Sequence, residues 1–265
     1  MGAFFTNSVA IASDAIHDFG DSLTLGLSWY LERYSHKDRD RQFSFGYRRF
    51  SLLSALINCL VLIFGSLLVL RETLPRLWQP QEVHASGMIY LALFGIAFNG
   101  YAALKLRRGH SHHETILSLH FLEDVLGWIA VLLVALAMKL GDYAFLDPLL
   151  SLGIAVFVIW NASKRLKITL RIFLQSIPDD LNIDQLEDNL KSKAGVLGVH
   201  DTHVWSLDGQ QHVLSTHIVI QPYLEPEAIK QLKILLRCEL LSVFGIQHAT
   251  LEFESNGESC EFCPN

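Results

Sequence analysis

The chain has 265 residues, of which 51% are apolar and 18% are charged, and its formal net charge is -6. A soluble domain carries about 25% charged residues, so this composition excludes a disordered or fibrous chain and predicts a membrane protein with a soluble part attached. The negative net charge argues against nucleic acid as a partner. Four cysteines are too few for a disulfide framework.

Five segments are predicted to cross the lipid bilayer, because each approaches the roughly 20 apolar residues that a spanning helix needs. They cover residues 8–31, 50–70, 85–104, 115–138 and 143–163. The loops after the first, third and fifth spans contain more Lys and Arg than the other two. Because basic loops face the cytoplasm, the chain after the fifth span is predicted to be cytoplasmic and its first residues to lie outside.

The sequence divides into a transmembrane domain over residues 1–177 and a cytoplasmic domain over residues 178–265. In the second, apolar residues at helical spacing around Leu186 and Leu236 predict two helices. Alternating residues predict two strands joined at Asp208-Gly209 and a last strand over residues 250–254. The fold class is therefore an α-helical polytopic membrane bundle followed by a small α+β ferredoxin-like domain with the order αββαβ.

Two pairs of ionisable residues lie inside the predicted spans: His17 with Asp21, and His120 with Asp124. Each pair has the spacing i, i+4, which places both side chains on one face of a helix. One such pair is explained equally well by an intramembrane ion pair or by helix packing. Two pairs with the same residues in the same order favour a tetrahedral zinc site of two nitrogens and two oxygens. The sequence lacks the HExxH pattern, so it gives no support to an intramembrane zinc protease. We expect that the protein is not an enzyme.

The segments SDAIHDFGD, FSFGYRR, HFLED, LDPLLSLGIAVFVIW and VHDTHVWSLDGQQHVLSTHIVI resemble the cation diffusion facilitator family, and most closely its zinc-transporting, cobalt-zinc-cadmium branch. The resemblance implies that His17, Asp21, His120 and Asp124 form the transport site. Manganese-type members carry Asp at both His positions, so the implied substrate is Zn²⁺. The chemistry of imidazole with carboxylate does not separate Zn²⁺ from Cd²⁺ or Co²⁺.

The chain departs from the family pattern in two places. The resemblance implies six spans with both termini in the cytoplasm, whereas five are found, and residues 1–7 resemble the end of the missing first span. Some bacterial members also bind a metal in the loop after their second span through one Asp and two His. Here Asp40 is retained, but Phe43 and Tyr47 stand at the His positions. We expect no metal in this loop.

A second metal site is expected in the cytoplasmic domain. If Asp208-Gly209 is a two-residue turn, His200 lies opposite His217 on one face of the sheet, and a longer loop would break this register. His203 then falls on the other face, where hydrogen bonding or packing is the expected role. Family members with a similar Cys pair in the tail join it to His and Glu at a regulatory site. The implied ligands are His200, His217, His248, Glu254, Cys260 and Cys263.

Two further groups of residues each have an alternative interpretation. The acidic residues Glu252 and Glu254 are explained equally by a solvated strand face. The histidines of the string GHSHHE, His110, His112 and His113, either pass metal to the pore or bind it weakly and nonspecifically.

Together these features predict export of Zn²⁺ from the cytoplasm in exchange for protons. Ligands must lose protons to hold the metal, and histidine titrates near neutral pH. The resemblance also implies a homodimer formed through a zinc-sensing cytoplasmic domain, and we expect a multi-pass protein of the plasma (inner) membrane. Two alternatives remain open: a non-transporting membrane metal sensor or heteromeric subunit, and a metal-independent proton-coupled carrier.

Overall fold

The computed structural model describes residues 2–107, 112–141 and 143–255. The elements, in chain order, are α1 (Gly2–Thr6), α2 (Val9–Ser35), α3 (Arg49–Trp78), α4 (Ala85–Leu106), α5 (His112–Leu140), α6 (Leu146–Phe173), α7 (Ile183–Lys191), β1 (Val196–Ser206), β2 (His212–Ile220), α8 (Pro226–Phe244) and β3 (Ile246–Ser255). This order confirms the predicted fold class of a helical bundle followed by an αββαβ domain. The chain forms two compact units, Met1–Leu27 with Ala55–Leu166, and Ser28–Ser54 with Lys167–Asn265.

Within the described residues, four helices are long and apolar enough to cross a membrane. They are α3, α4, α6 and the part of α5 from Phe121 to Leu140. Helix α2 has sufficient length at 27 residues, but Asp14, Asp18 and Asp21 interrupt its apolar sequence. The first predicted span is therefore part of a continuous helix, and its crossing of the bilayer stays a prediction.

The first unit has a core shared by α2, α4 and α5. Its buried residues are Ile11, Met88, Ala92, Val131 and Ala135. Ala92 and Ala135 are small, so neighbouring helices can approach closely. Within a membrane this close packing holds the helices together, because there is no hydrophobic driving force between them. This packing places the first half of α2 beside α5.

Asp147 on α6 caps the amino end of α2. Its side chain accepts hydrogen bonds from the Ser8 hydroxyl at 2.5 Å and from the Val9 backbone N–H at 2.8 Å. The first N–H groups of a helix have no partner within the helix, so a carboxylate at this end satisfies them and complements the helix dipole. Asp147 is only 1% exposed. A single buried carboxylate thus joins the starts of two helices.

The cytoplasmic sheet has the strand order β1-β2-β3, with β1 antiparallel to β2 and β3 parallel to β2. Helices α7 and α8 cover one face and bury an apolar core made of residues that include Leu186, Leu214, Ile218, Leu236 and Leu240. Gly245 ends α8 in the left-handed conformation, with φ of 62°, so the chain turns directly into β3. The other face of the sheet carries His200, His217 and Glu254.

Strand β1 contains a bulge between His200 and His203, where three steps along β1 match two along β2. Asp201 adopts a left-handed backbone there, with φ of 49°. The Thr202 hydroxyl lies 2.9 Å from the hydroxyl of Thr216 on β2, so a side-chain contact bridges the strands at the interruption. Because a bulge adds one residue to a strand, the alternation between the two faces restarts beyond it.

Candidate metal sites

The first candidate site lies in the transmembrane unit. One ligand atom from each of His17, Asp18 and Asp124 lies within 4.8 Å of the others. Asp21 follows His17 by one turn of α2, and His120 precedes Asp124 by one turn of α5, but both of these side chains lie outside the described part of the structure. The structure therefore brings together two of the four predicted transport ligands, one from each helix.

An open cavity of about 630 Å³ adjoins His17 and Asp124. Its polar lining includes Asp14, His17, Glu123 and Asp124, and much of its remaining wall is apolar, with Leu149, Ile154 and Phe157 among its residues. Carboxylates in apolar surroundings interact strongly with a cation, because little water competes for either charge. The arrangement suits a divalent cation held by imidazole and carboxylate.

Asp18 was not among the predicted ligands. It follows His17 directly, and neighbouring residues of a helix point about 100° apart, so a motif based on i, i+4 spacing passes over it. The usable signal was the density of carboxylates, since Asp14, Asp18 and Asp21 all lie within eight residues of an otherwise apolar helix.

The second candidate site lies on the open face of the cytoplasmic sheet. One ligand atom from each of His200, His217 and Glu254 lies within 4.8 Å of the others. His217 Nδ1 lies 2.5 Å from Glu254 Oε1, and His200 Nε2 lies 2.9 Å from Glu254 Oε2. The two imidazole rings are 5.2 Å apart. Each strand supplies one donor, so the sheet itself positions all three.

The two histidines lower the pKa of the Glu254 carboxyl group. Its burial acts to raise its pKa, but the hydrogen bonds with His217 and His200 and the charges of the two rings act in the opposite direction and prevail. The pKa of Glu254 therefore lies below the ordinary value for glutamic acid. The group is held as a carboxylate, the form that binds a metal ion.

The predicted pairing of His200 with His217 is found in the structure, although the turn that supported it is not. The hairpin loop is longer than two residues, since the Leu207 N–H donates to the Gln211 carbonyl at 2.9 Å. This longer loop shifts the register by one residue, and the bulge in β1 shifts it back. The two deviations cancel at the histidines.

The same bulge overturns the predicted position of His203. His203 pairs with Ser215, two residues before His217 on β2, so it shares the face of His200 and His217. The prediction that it lies on the other face is wrong, because strict alternation takes no account of the extra residue. Its Nε2 lies 2.9 Å from Asp201 Oδ1, which agrees with the expected hydrogen-bonding role.

The remaining predicted ligands of this site are not brought to it by the described structure. His248 is exposed and packs edge-on against Phe45, with ring centroids 5.5 Å apart. Six residues separate it from Glu254 along β3, a distance of about 20 Å, so the two cannot share one ion within this chain. Cys260, Cys263 and His110 lie outside the described residues, as do the side chains of His112 and His113.

The loop between α2 and α3 is held by its own side chains. Tyr47 donates its hydroxyl to Asp40 Oδ2 at 2.7 Å, and the backbone N–H groups of Gln42 and Phe43 donate to Asp40 Oδ1 at 2.8 and 2.9 Å. The hydrogen bond from Tyr47, followed by those from Phe43 and Gln42, lowers the pKa of Asp40 to about 2. Both carboxylate oxygens thus have hydrogen-bond donors from within the loop.

Two family models match nearly the whole chain. The Cation efflux transmembrane domain matches residues 1–174, and the Cation efflux protein, cytoplasmic domain, a model named ZT_dimer, matches residues 178–256. The chain belongs to the cation efflux family. The resemblance to the cation diffusion facilitators is thereby confirmed, and the domain order of this family agrees with the described fold.

Relatives from several bacteria extend over most of the chain. The "Cadmium, cobalt and zinc/H(+)-K(+) antiporter" of Bacillus velezensis is 28% identical and covers 96% of this chain and 82% of its own. The "Metal cation efflux system protein CzcD" of Cupriavidus metallidurans is 28% identical over 96% of this chain and 80% of its own. The "Zinc transporter ZitB" of Escherichia coli is 26% identical over 96% of this chain and 81% of its own.

One solved structure, the metal-bound C-terminal domain of the CzcD transporter from "Cuprividus metallidurans", also matches. It is 28% identical and covers 28% of this chain and 99% of its own, with a TM-score of 0.26.

This cation efflux protein is a multi-pass membrane transporter of divalent cations with a cytoplasmic C-terminal domain, and it is not an enzyme. Its relatives carry the names of transporters and antiporters, and these names lend no support to a non-transporting sensor. Their bacterial origin agrees with the expected plasma (inner) membrane.

Proposed function

We propose that this protein exports Zn²⁺ from the cytoplasm in exchange for protons and that His17, Asp21, His120 and Asp124 hold the ion during transport. The main support is the approach of His17 on α2 to Asp124 on α5, which are distant in the chain and have ligand atoms within 4.8 Å. Imidazole nitrogen and carboxylate oxygen are both ordinary zinc ligands. A helix pair that presents both to one cavity supplies the donors such a site needs.

Proton exchange follows from the chemistry of these ligands. Zinc displaces protons from imidazole when it binds, and protons arriving from the other side displace zinc. Moving one positive charge against a membrane potential of 100 mV costs about 2.3 kcal/mol, so a divalent ion costs about twice that. Each proton that returns to the cytoplasm offsets one charge. The antiporter from Bacillus velezensis, whose name includes H(+), supports the same type of exchange.

Zinc is the proposed substrate, with Cd²⁺ and Co²⁺ as weaker alternatives. The names of the relatives include zinc alone in the Escherichia coli protein and cadmium, cobalt and zinc in the Bacillus one. A site of two imidazoles and two carboxylates provides four donors of the type that tetrahedral zinc takes in proteins. Ligand softness and geometry, rather than affinity alone, decide among these three metals.

The cytoplasmic domain, residues 178–265, is proposed to bind zinc through His200, His217 and Glu254 and to join two copies of the chain. The contacts of Glu254 with the two histidines support the site. The match to the ZT_dimer model supports the homodimer. Cys260 and Cys263 are proposed to complete this site from the tail.

The transport proposal is tested with purified protein in liposomes that contain a zinc-sensitive dye and carry an imposed pH gradient. We expect zinc flux to follow the gradient and to fall to that of empty liposomes in Asp124→Asn. Glu82→Gln is the control, since it removes the same charge from an exposed residue between α3 and α4, and it should retain most of the flux. Undiminished flux in Asp124→Asn contradicts the assigned site. Flux that ignores the pH gradient contradicts proton exchange.

A further inference from the structure

A second polar cavity lies in the cytoplasmic unit, where the segment after α6 meets the start of β2. Its volume is about 250 Å³. The charged or ionisable side chains that line it are Arg171, Asp179, Asp180 and His212. Along β2, His212 is five residues from His217, a distance of about 16 Å. The cavity is therefore separate from the cluster around Glu254.

His212 is buried without a normal hydrogen bond for its ring. The residue is 6% exposed, and its Nδ1 atom has no hydrogen-bond partner among the described residues. Its Nε2 atom lies 3.6 Å from Asp180 Oδ2, which exceeds the roughly 2.7–3.2 Å of a hydrogen bond from nitrogen to oxygen. Buried polar atoms nearly always have partners, so the state of Nδ1 is unusual. The other ring nitrogen, Nε2, faces Asp180 without forming a normal hydrogen bond and is the atom available to a metal ion.

The charges around the cavity favour a cation. Arg171 is paired with Asp179 at 2.8 Å, so these two charges balance each other. Among the described residues, no Lys or Arg side chain pairs with Asp180, which lies beside the imidazole of His212. The 3.6 Å between His212 Nε2 and Asp180 Oδ2 is close to the separation of about 3.3 Å between two donors on one tetrahedral zinc ion, given bonds of about 2.0–2.1 Å.

We propose that His212 and Asp180 form a second cytoplasmic metal site, which takes a divalent ion of the zinc class. Nitrogen and carboxylate oxygen supply two positions, and water molecules from the cavity complete the coordination. The cavity, at about 250 Å³, has room for the ion and several waters at about 30 Å³ each. A bound ion would tie the segment between α6 and α7 to the first residue of β2.

The site is tested by counting Zn²⁺ ions per chain after equilibrium dialysis of the purified full-length protein, with metal measured by mass spectrometry. All variants carry Asp124→Asn and Glu254→Gln, which weaken the two clusters already described. We expect Asp180→Asn and His212→Asn each to lower the zinc content by one ion per chain. Asp179→Asn is the matched control and should retain that ion, because its carboxylate is paired with Arg171.

Asp180→Asn is the deciding variant, since its side chain is 73% exposed and its replacement leaves the buried ring in place. Equal zinc content in Asp180→Asn and its parent overturns the proposal and leaves a plain His-Asp contact. An equal loss in Asp179→Asn also overturns it, because the ion would then be held by the general negative charge of the pocket. The readout is binding, so it is independent of whether the protein transports zinc by proton exchange.

Discussion

Glu254 contacts two histidines through different oxygens, and this arrangement has a chemical consequence. His200 and His217 approach from neighbouring strands, and protons fill the space between the nitrogens and the carboxylate. A metal ion at the same position must replace those protons, since metal and proton compete for the same lone pairs. The affinity of this cluster for zinc should therefore rise with pH, because fewer protons then compete with the metal ion.

Replacing Glu254 tests this cluster. Glu254→Gln keeps the size of the side chain but removes the charge and one of its two acceptor oxygens. We expect zinc affinity of the cytoplasmic site to fall by at least about 10-fold, because even changes beyond the direct ligands cost that much. Isothermal titration of the full-length protein measures this. Glu227→Gln removes the same charge from the exposed side of α8 and should leave the affinity unchanged; an equal loss there would contradict a specific role for Glu254.

The α2–α3 loop provides a prediction about pH. The pKa of Asp40 is lowered to about 2, chiefly by the Tyr47 hydroxyl. A carboxyl group with a lowered pKa stabilises the fold above its unfolded value of 3.8, and this contribution is lost as the pH falls through about 2. Tyr47→Phe should raise the pKa of Asp40 towards 3.8. The loop should then lose its structure at a higher pH than in the wild type.

The carboxyl carbon of Asp40, followed by NMR during an acid titration, measures this shift directly. Tyr30→Phe is the control, because it removes a phenol hydroxyl elsewhere and should leave the titration of Asp40 unchanged. An unchanged titration in Tyr47→Phe would show that the backbone N–H groups alone hold the charge.

At the scale of single elements, β1 shows where sequence reasoning succeeds and where it stops. Alternating apolar residues predict a strand over 196–207, and the structure has Val196–Ser206. The bulge leaves no clear mark in that pattern, because it depends on the backbone of Asp201 and on the contact of Thr202 with Thr216. The predicted contact of His200 with His217 is therefore correct, although the prediction assumed a two-residue turn that the structure lacks and did not include the bulge.

The helices show a similar division. Three of the predicted spans lie within the observed helices, and the other two begin at residues 8 and 143, shortly before α2 and α6. Helix α3 runs to Trp78, beyond the predicted end at residue 70. Hydropathy detects only the apolar part of a helix, whereas helical hydrogen bonding continues through the polar residues that follow it. Likewise, the i, i+4 pattern indicated His17 and Asp124 as ligands but gave no sign of Asp18, whose place depends on how α2 packs against α5.

Asp147 provides a prediction at the level of helix packing. Asp147→Asn keeps the shape of the side chain but removes the charge that caps α2. We expect a loss of about 1.5–3 kcal/mol in the free energy of unfolding, the range for hydrogen bonds to charged groups. Unfolding by SDS, followed by tryptophan fluorescence, measures it. Asp38→Asn changes an exposed carboxylate and should be neutral; equal stability of Asp147→Asn and the wild type would contradict a capping role.

At the scale of the whole molecule, the chain forms two units with separate cores. Helices α2, α3 and α6 contribute residues to both units. The core of the second unit is built from α7, α8 and the sheet, with Leu186, Leu190 and Leu236 fully buried. Because each unit buries its own apolar residues, a defect in one core should destabilise mainly that unit.

Two neighbouring leucines of α8 test this independence. Leu236 is fully buried, whereas Leu235 is 51% exposed. Leu236→Ala should destabilise the cytoplasmic unit by about 2–5 kcal/mol through lost burial and a remaining cavity. Leu235→Ala should change its stability by less than about 0.5 kcal/mol. Urea-dependent proteolysis, with cleavage mapped along the chain, separates the two units. If the transmembrane unit became equally sensitive in Leu236→Ala, the cores would not be independent.

The cap on α2 also limits how that helix can move. Because the first turn of α2 is held by Asp147, the helix can tilt only about that turn. Eight residues, or about 12 Å of helix, separate Val9 in this turn from His17. A tilt of about 10° about the pinned turn would carry the imidazole by roughly 2 Å. Zinc tolerates changes of only about 0.2 Å in its bond lengths. In the proposed transport site, a small tilt of this one helix, with no change in its own structure, would therefore break the bond between His17 and the ion.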